Sequence, residues 1–242
     1  MSSVETTSPF PETRWTLILR ARSSVGGQEA EAALNELCTA YWQPLYMYLR
    51  RLGLDPEHAQ DTVQGFLGHL LRSQGLERAE APRGRFRNYL ITALRNYLVS
   101  EHRRVHAAKR AGTAEHIPLD AQPAESVFLA LLSETPSPEA AFDRQWAQTI
   151  WTQALARLRA EHQRRGRLPV FETLAPHLTD AAGESHTALA GQLGLSTNGV
   201  AIQLFRMRRR LRELVLEEIE TTVGSDADLQ QELAHFLSLW AP

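Results

Sequence analysis

Across 242 residues the chain has one cysteine, Cys38. A disulfide within the chain needs two, and a cysteine-based zinc site needs more, so both are excluded. So little thiol goes with a reducing, cytoplasmic compartment. Long apolar runs are missing as well. No stretch approaches the roughly 18 continuous apolar residues of a membrane span, so no membrane is expected among its partners. The opening MSSVETTSPFPETRW has no basic segment leading into an apolar one, which argues against a signal peptide. Excess charge is missing too: 26 basic and 28 acidic residues leave a net charge of −2. Any attraction to a polyanion must then come from where the charges stand, not from their sum. HExxH, a glycine-rich phosphate loop, a nucleophile elbow and a DxDxDG calcium loop are all absent. His58 and Asp61 lie close together on one helical stretch, but without such a motif they read as surface residues. The expectation is a protein that is not an enzyme and carries neither metal nor cofactor.

What is present is helical periodicity. A hydrophobic content of 43% is enough for real cores, and the length allows one or two domains. No stretch alternates with the period of two that strands require, and no internal repeat is found; apolar residues recur at three and four. Residues 12–22 form a short candidate helix with Trp15, Leu17, Ile18 and Leu19. A longer one carries Leu34, Leu37, Tyr41, Leu45, Tyr48 and Leu52 near one face, with Pro44 expected to kink or split it. Asp55-Pro56-Glu57 reads as a helix start, with an aspartate cap and proline in the first turn. Its stripe is Ala59, Val63, Phe66, Leu67, Leu70 and Leu71. After a loop at 73–85 a helix begins near Phe86, with Phe86, Leu90, Ala93, Leu94, Tyr97 and Leu98 inward.

Residues 111–138 are proline-rich and read as a flexible linker. Ser137-Pro138-Glu139 opens a long helix to about Arg165, and a helix at 170–178 follows. SDADLQQELAHFLSLW is an amphipathic tail helix whose Leu229, Leu233, Phe236, Leu237 and Trp240 need some partner surface. The expected fold is all-α: two small helical domains joined by a flexible linker. The ranges are 12–110, a linker 111–138, a second domain 139–224 and a tail helix 225–242.

The segment HTALAGQLGLSTNGVAIQLFRMRRRLREL has the pattern of a helix-turn-helix. Ala188, Leu189 and Leu193 are apolar on a short helix. Gly194 stands where a left-handed terminus wants no side chain. Ser196 can cap the next helix. Val200, Leu204, Met207 and Leu211 recur on one face, and Asn198, Ile202, Phe205, Arg206, Arg209 and Arg212 point away from it. The plain alternative is a solvated arginine-rich helix end. Asn198-Gly199 could alone be a hairpin turn, but no strands flank it. Residues 197–212 hold five arginines and no acid, while 213–232 hold seven acids and no base. A merely soluble helix would mix signs. A second basic stretch, 82–110, holds eight bases and one acid, interleaved with asparagines and aromatics. Phosphates call for Lys or Arg, and unstacked bases for π surfaces and amide donors. Two basic helices separated by a linker suggest contact with DNA at two places.

That arrangement resembles the bacterial RNA polymerase sigma-70 family, of the extracytoplasmic-function (ECF) type. ELCTAYWQPLYMYLRRLGLDPEHAQDTVQGFLGHLLRS resembles the first half of the promoter-melting domain. Within it, AQDTVQGFLGHLL is similar to the helix that docks on the clamp helices of the polymerase β′ subunit. RGRFRNYLITALRNYLVSEHRR resembles the part that reads and opens the −10 element, and ALAGQLGLSTNGVAIQLFRMRRRLREL the −35-reading helix-turn-helix. The resemblance implies polymerase-facing positions at Asp61 and Gln64, with Phe66 and Leu67 beside them. It implies −10 contacts at Arg83, Arg85, Arg87, Asn88, Arg95 and Asn96. It implies −35 contacts at Ser196, Thr197, Asn198, Ala201, Ile202, Phe205, Arg206 and Arg209. Gly65 and Gly68 depart from the larger polar residues usual in the family. The partners implied are core RNA polymerase through its β′ clamp helices and β flap, promoter DNA, and an anti-sigma or other regulator. A conventional helix-turn-helix regulator with an N-terminal dimerisation or sensory domain is the alternative. An adaptor that binds polymerase or an anti-sigma partner without reading DNA is a third.

Overall fold

The computed structural model describes residues 28–72, 85–107, 137–179, 185–223 and 226–239. Among them are eight α-helices and no strand, so the fold is all-α as expected. They are α1 (Gln28–Arg51), α2 (Pro56–Arg72), α3 (Phe86–Ala107), α4 (Pro138–Arg164), α5 (Leu168–Leu174), α6 (His186–Leu193), α7 (Thr197–Glu220) and α8 (Asp226–Ser238). A 3₁₀ turn, Ala175–His177, follows α5. The candidate helix at 12–22, the loop at 73–84 and all of the expected linker but Ser137 and Pro138 lie outside the described residues. No described helix is long and apolar enough to cross a membrane.

Contacts divide the chain into two compact units: Met1–Gln148 with Glu220–Pro242, and Thr149–Ile219. This differs from the boundaries expected from the sequence. The head of α4 and the tail helix α8 belong with α1–α3, not with the second basic segment or with a tail apart. The reason is burial. Phe142 and Trp146 of α4 and Phe236 of α8 are buried, and the Phe236 ring meets Trp146 edge-on at 6.2 Å. The Phe86 N–H at the start of α3 donates to the Thr222 carbonyl at 3.0 Å, which ties the chain leaving α7 to this unit.

In this first unit α1 is the central element. From Ala40 to Leu49 it is buried on nearly every side, including Tyr41, Leu45, Tyr46, Met47 and Tyr48. A helix apolar all round is one that neighbours enclose. Pro44 was expected to kink or split it; α1 runs through as one helix, without a split. The missing N–H and the ring clash cost about 3 kcal/mol. Each buried Leu or Met side chain around it contributes about 1.5–3 kcal/mol, so enclosure outweighs the proline. Leu52, expected on the same stripe, is 46% exposed beyond the helix end.

The start of α2 follows its sequence signal. The His58 N–H donates to Asp55 Oδ1 at 3.0 Å, and His58 Nδ1 lies 2.6 Å from Asp55 Oδ2. That backbone N–H, with the His58 ring after it, holds the Asp55 carboxyl below its ordinary value. His58 is thereby part of a helix cap on an exposed surface. Ala59, Val63, Phe66, Leu67 and Leu70 form the buried stripe, as their spacing predicts.

Gly65 has a structural reason. The Tyr97 side chain of α3 lies over it, with its ring 5.7 Å from Phe66 and 5.3 Å from His69. A β-carbon at Gly65 would overlap the Tyr97 hydroxyl and stand 3.5 Å from its Cζ. Glycine is used here so that α2 can accept the tyrosine. Alanine in a helix interior is worth about 1 kcal/mol over glycine. Gly65→Ala alone is therefore expected to gain little or lose stability. In a Tyr97→Phe background, where the overlapping oxygen is gone, it should gain about 1 kcal/mol. Thermal melting of the four proteins measures this, and equal effects in both backgrounds would remove the explanation.

Candidate nucleic-acid interface

The second unit presents its basic helix as the sequence pattern predicts. Ser185 caps α6, accepting from the Ala188 N–H at 3.3 Å. Gly194 ends α6 in the left-handed region at φ 63°, ψ 29°, and the Leu195 N–H returns to the Ala190 carbonyl at 3.0 Å. Ser196 then caps α7, its Oγ accepting from the Gly199 N–H at 3.0 Å. Such a cap is worth about 1 kcal/mol against alanine. Two helices joined by three residues result. The buried face of α7 is Val200, Leu204, Met207, Leu211, Leu214, Val215 and Ile219, packed in a unit that also buries Ala154, Leu158, Phe171, Leu174 and Leu189.

The opposite face holds every residue assigned to the −35 contact. Ser196, Thr197, Asn198, Ile202, Phe205, Arg206 and Arg209 are exposed, and Ala201 is half-buried. Phe205 is 68% exposed, an unusual state for an aromatic ring. The five arginines of α7 divide by role. Arg208 donates to the His177 and Leu178 carbonyls at 2.9 and 3.2 Å, satisfying the end of the 3₁₀ turn. Arg210 grips Glu161 of α4 through Nη2 at 2.8 Å and Nε at 3.1 Å, and also meets Glu213 and Glu217 at 3.2 and 3.0 Å. Arg206 and Arg212 have no ion pair among the described residues, and Arg209 has only the flexible neighbour Glu213 at 3.2 Å. Three arginines thus face solvent along one side of α7.

The acidic stretch after α7's basic end also has internal work. Glu217 and Glu218 hold Arg157 of α4, the latter at 2.8 Å, while Glu213 and Glu217 hold Arg210. The hydrogen bonds from Arg210 hold the Glu161 and Glu213 carboxyls below the ordinary glutamate range, and Glu161 foremost holds the Arg210 guanidinium more firmly protonated. The segregated charge seen in the sequence is therefore partly the internal bracing of this unit.

The basic stretch of α3 in the first unit is placed differently. Arg83 lies outside the described residues. Arg87 is only 6% exposed. Its Nε donates to Glu232 of α8 at 2.7 Å and its Nη1 to Asp143 of α4 at 2.6 Å, and its guanidinium lies 5.5 Å from the Trp146 ring centre. Arg85 meets the same Glu232 at 3.3 Å and donates to Gln231 at 2.8 Å. Arg95 donates to the Tyr48 hydroxyl at 2.8 Å and to Glu139 of α4. Glu139 is held below its ordinary value first by its own backbone N–H at the head of α4, then by Arg95. Asn88 and Asn96 are exposed on α3, with Thr92 and Val99 on the same side. Of the expected −10 residues, then, the two asparagines face solvent and three arginines are engaged by carboxylates from α4 and α8. The carboxylates are the part that sequence reasoning missed. The available signal was the acid-only run reaching Glu232 beside a base-rich run in 82–110.

Among the polymerase-facing candidates, Asp61 is exposed and Gln64 half-buried on α2, whereas Phe66 and Leu67 are buried in the core of the unit. Those two position the helix and offer no surface. Among the described residues, no group of three or more His, Cys, Asp and Glu side chains is placed to hold a metal ion. The chain matches no protein-family model, no curated protein and no solved structure.

The Arg210 bracing has a pH signature. A carboxyl held low in the folded chain adds stability above its unfolded value and loses it as pH falls through the folded one. The thermal midpoint should therefore drop below about pH 4.3, the ordinary glutamate value. Arg210→Met should flatten that drop. Circular dichroism melts between about pH 6 and pH 3 measure it, and an identical pH slope in both proteins would count against the assignment.

Proposed function

We propose that this chain is an RNA polymerase sigma factor of the small extracytoplasmic-function type. On this reading it brings core polymerase to promoters, meets the −35 element with α7 and the −10 strand with α3, and leaves the chemistry of RNA synthesis to the polymerase. The observation that carries the proposal is the solvent face of α7. A tight glycine turn and a serine cap lead into a helix with Asn198 near its start and Arg206, Arg209 and Arg212 further along one side. A helix in the major groove uses its first residues on base edges and its arginines on phosphates or guanines. Asn88 and Asn96 on α3 offer amide donors and acceptors for unstacked bases. Asp61 and Gln64 on α2 are the proposed contacts with the β′ clamp helices, and the second unit is the proposed partner of the β flap.

One observation favours the rival. Arg85, Arg87 and Arg95 are engaged within the chain, which leaves α7 as the better-exposed arginine surface among the expected contact residues. A conventional helix-turn-helix regulator would need no more. It predicts a dimer on a two-fold site, whereas a sigma factor is a monomer on two dissimilar elements.

Transcription of fragmented genomic DNA by bacterial core polymerase, with and without this protein, separates the two. New RNA 5′ ends sharing a two-part upstream motif are expected. Absence of new starts, with a control sigma factor active, would overturn the proposal in favour of the regulator. Once a promoter is in hand, Arg206→Ala and Arg209→Ala should each weaken duplex binding. Each should also reduce the slope of log K against log salt by about 0.9, the release from one phosphate. An unchanged slope would rule out phosphate contact at that arginine.

A further inference from the structure

Arg85, just before α3, and Arg87 and Arg95 within it are each engaged by a carboxylate that comes from beyond residue 137. Arg95 is held by Glu139, Arg87 by Asp143 and Glu232, and Arg85 by Glu232. His235 closes the set from the far side, with Nε2 3.0 Å from Asp143. An arginine fork suits a carboxylate and a phosphate alike, since both present two oxygens in one plane. We propose that the head of α4 and the tail helix α8 form a self-inhibitory clasp. Their carboxylates sit on the α3 arginines where the phosphates of single-stranded DNA would otherwise bind. This rests on the reading of the chain as a promoter-opening, DNA-binding protein.

The way α8 is attached supports a contact that can be exchanged. Among its described side chains the buried ones are Phe236 and the carboxylate Glu232, while Leu229 and Leu233 are half-buried and Leu237 is 58% exposed. Much of the attachment is by charged pairs, Glu232 to Arg85 and Arg87 and His235 to Asp143, and desolvating the charges offsets much of their attraction. A DNA phosphate that replaces Glu232 keeps the arginines paired. The swap therefore leaves no buried charge unmatched, and it frees an acidic helix that would repel the same strand. Glu139 and Arg95 are both about half-exposed, so that pair can open without disturbing the core.

The test is anisotropy of a labelled single-stranded oligo-dT, titrated with full-length protein over a range of salt. Glu139→Gln with Glu232→Gln should bind about tenfold tighter than the native chain. Its slope of log K against log salt should be steeper by about 1.4, the equivalent of two phosphates on single strands. Adding Arg85→Ala should take back about half of the steepening. Binding no tighter than native, with duplex DNA still bound through α7, would overturn the clasp and leave the functional reading intact. Failure of the native and variant chains to bind either DNA would overturn both. If Glu232→Gln loses its cooperative melt, Glu139→Gln alone decides the matter. It frees Arg95 at an exposed pair and should tighten binding about twofold, and no gain would overturn the proposal.

Discussion

Arg87 is the pivot of the first unit. It lies at the start of α3 with almost no exposure, and two later helices converge on it. Glu232 arrives from α8, Asp143 from α4, and Trp146 supplies a ring face. A buried guanidinium without partners would be prohibitive, so the fold has to deliver two carboxylates to one place. That requirement explains why the tail helix docks here and why the head of α4 groups with α1–α3. The apolar contacts of Phe142, Trp146 and Phe236 supply the attraction, and the charges supply the register.

The second unit is organised by a similar device on a smaller scale. Arg210 collects Glu161, Glu213 and Glu217, and Arg157 collects Glu217 and Glu218. These pairs are partly exposed, so each is worth little alone. As a network they brace α7 against α4. The consequence for function is a sorting of α7's arginines. Two are committed to structure, and the remaining three stand along one open face. That sorting is what makes the proposed −35 surface a surface, since those three are the ones placed to meet a phosphate.

The two basic helices therefore stand in different states. Arg206, Arg209 and Arg212 stand on the open face of α7, whereas Arg85, Arg87 and Arg95 are matched by acids from the same chain. A molecule that met DNA with both at once would first have to exchange carboxylates for phosphates on α3. Gly65 belongs to the same picture. It admits Tyr97 against α2 and so fixes the helix pair on which Asn88 and Asn96 are displayed.

Much was legible from the sequence because it depends on near neighbours. Asp55 and Ser196 cap the helices that their positions predict, Gly194 takes the left-handed turn, and the 4-3-4 spacing of Val200, Leu204, Met207 and Leu211 separates buried from open faces of α7. These are interactions over three or four residues, and a helix's geometry is the same wherever it occurs. Pro44 does not split α1 because a local penalty is set against an enclosure that no local pattern reveals. The fate of Arg85, Arg87 and Arg95 was not legible from their near neighbours. Their partners lie 44, 56 and 145 residues away along the chain for the Glu139, Asp143 and Glu232 bonds to Arg95 and Arg87. An arginine's sequence neighbours say that it carries a charge. Only the packing of distant helices determines whether that charge meets water, a phosphate or a carboxylate of its own chain.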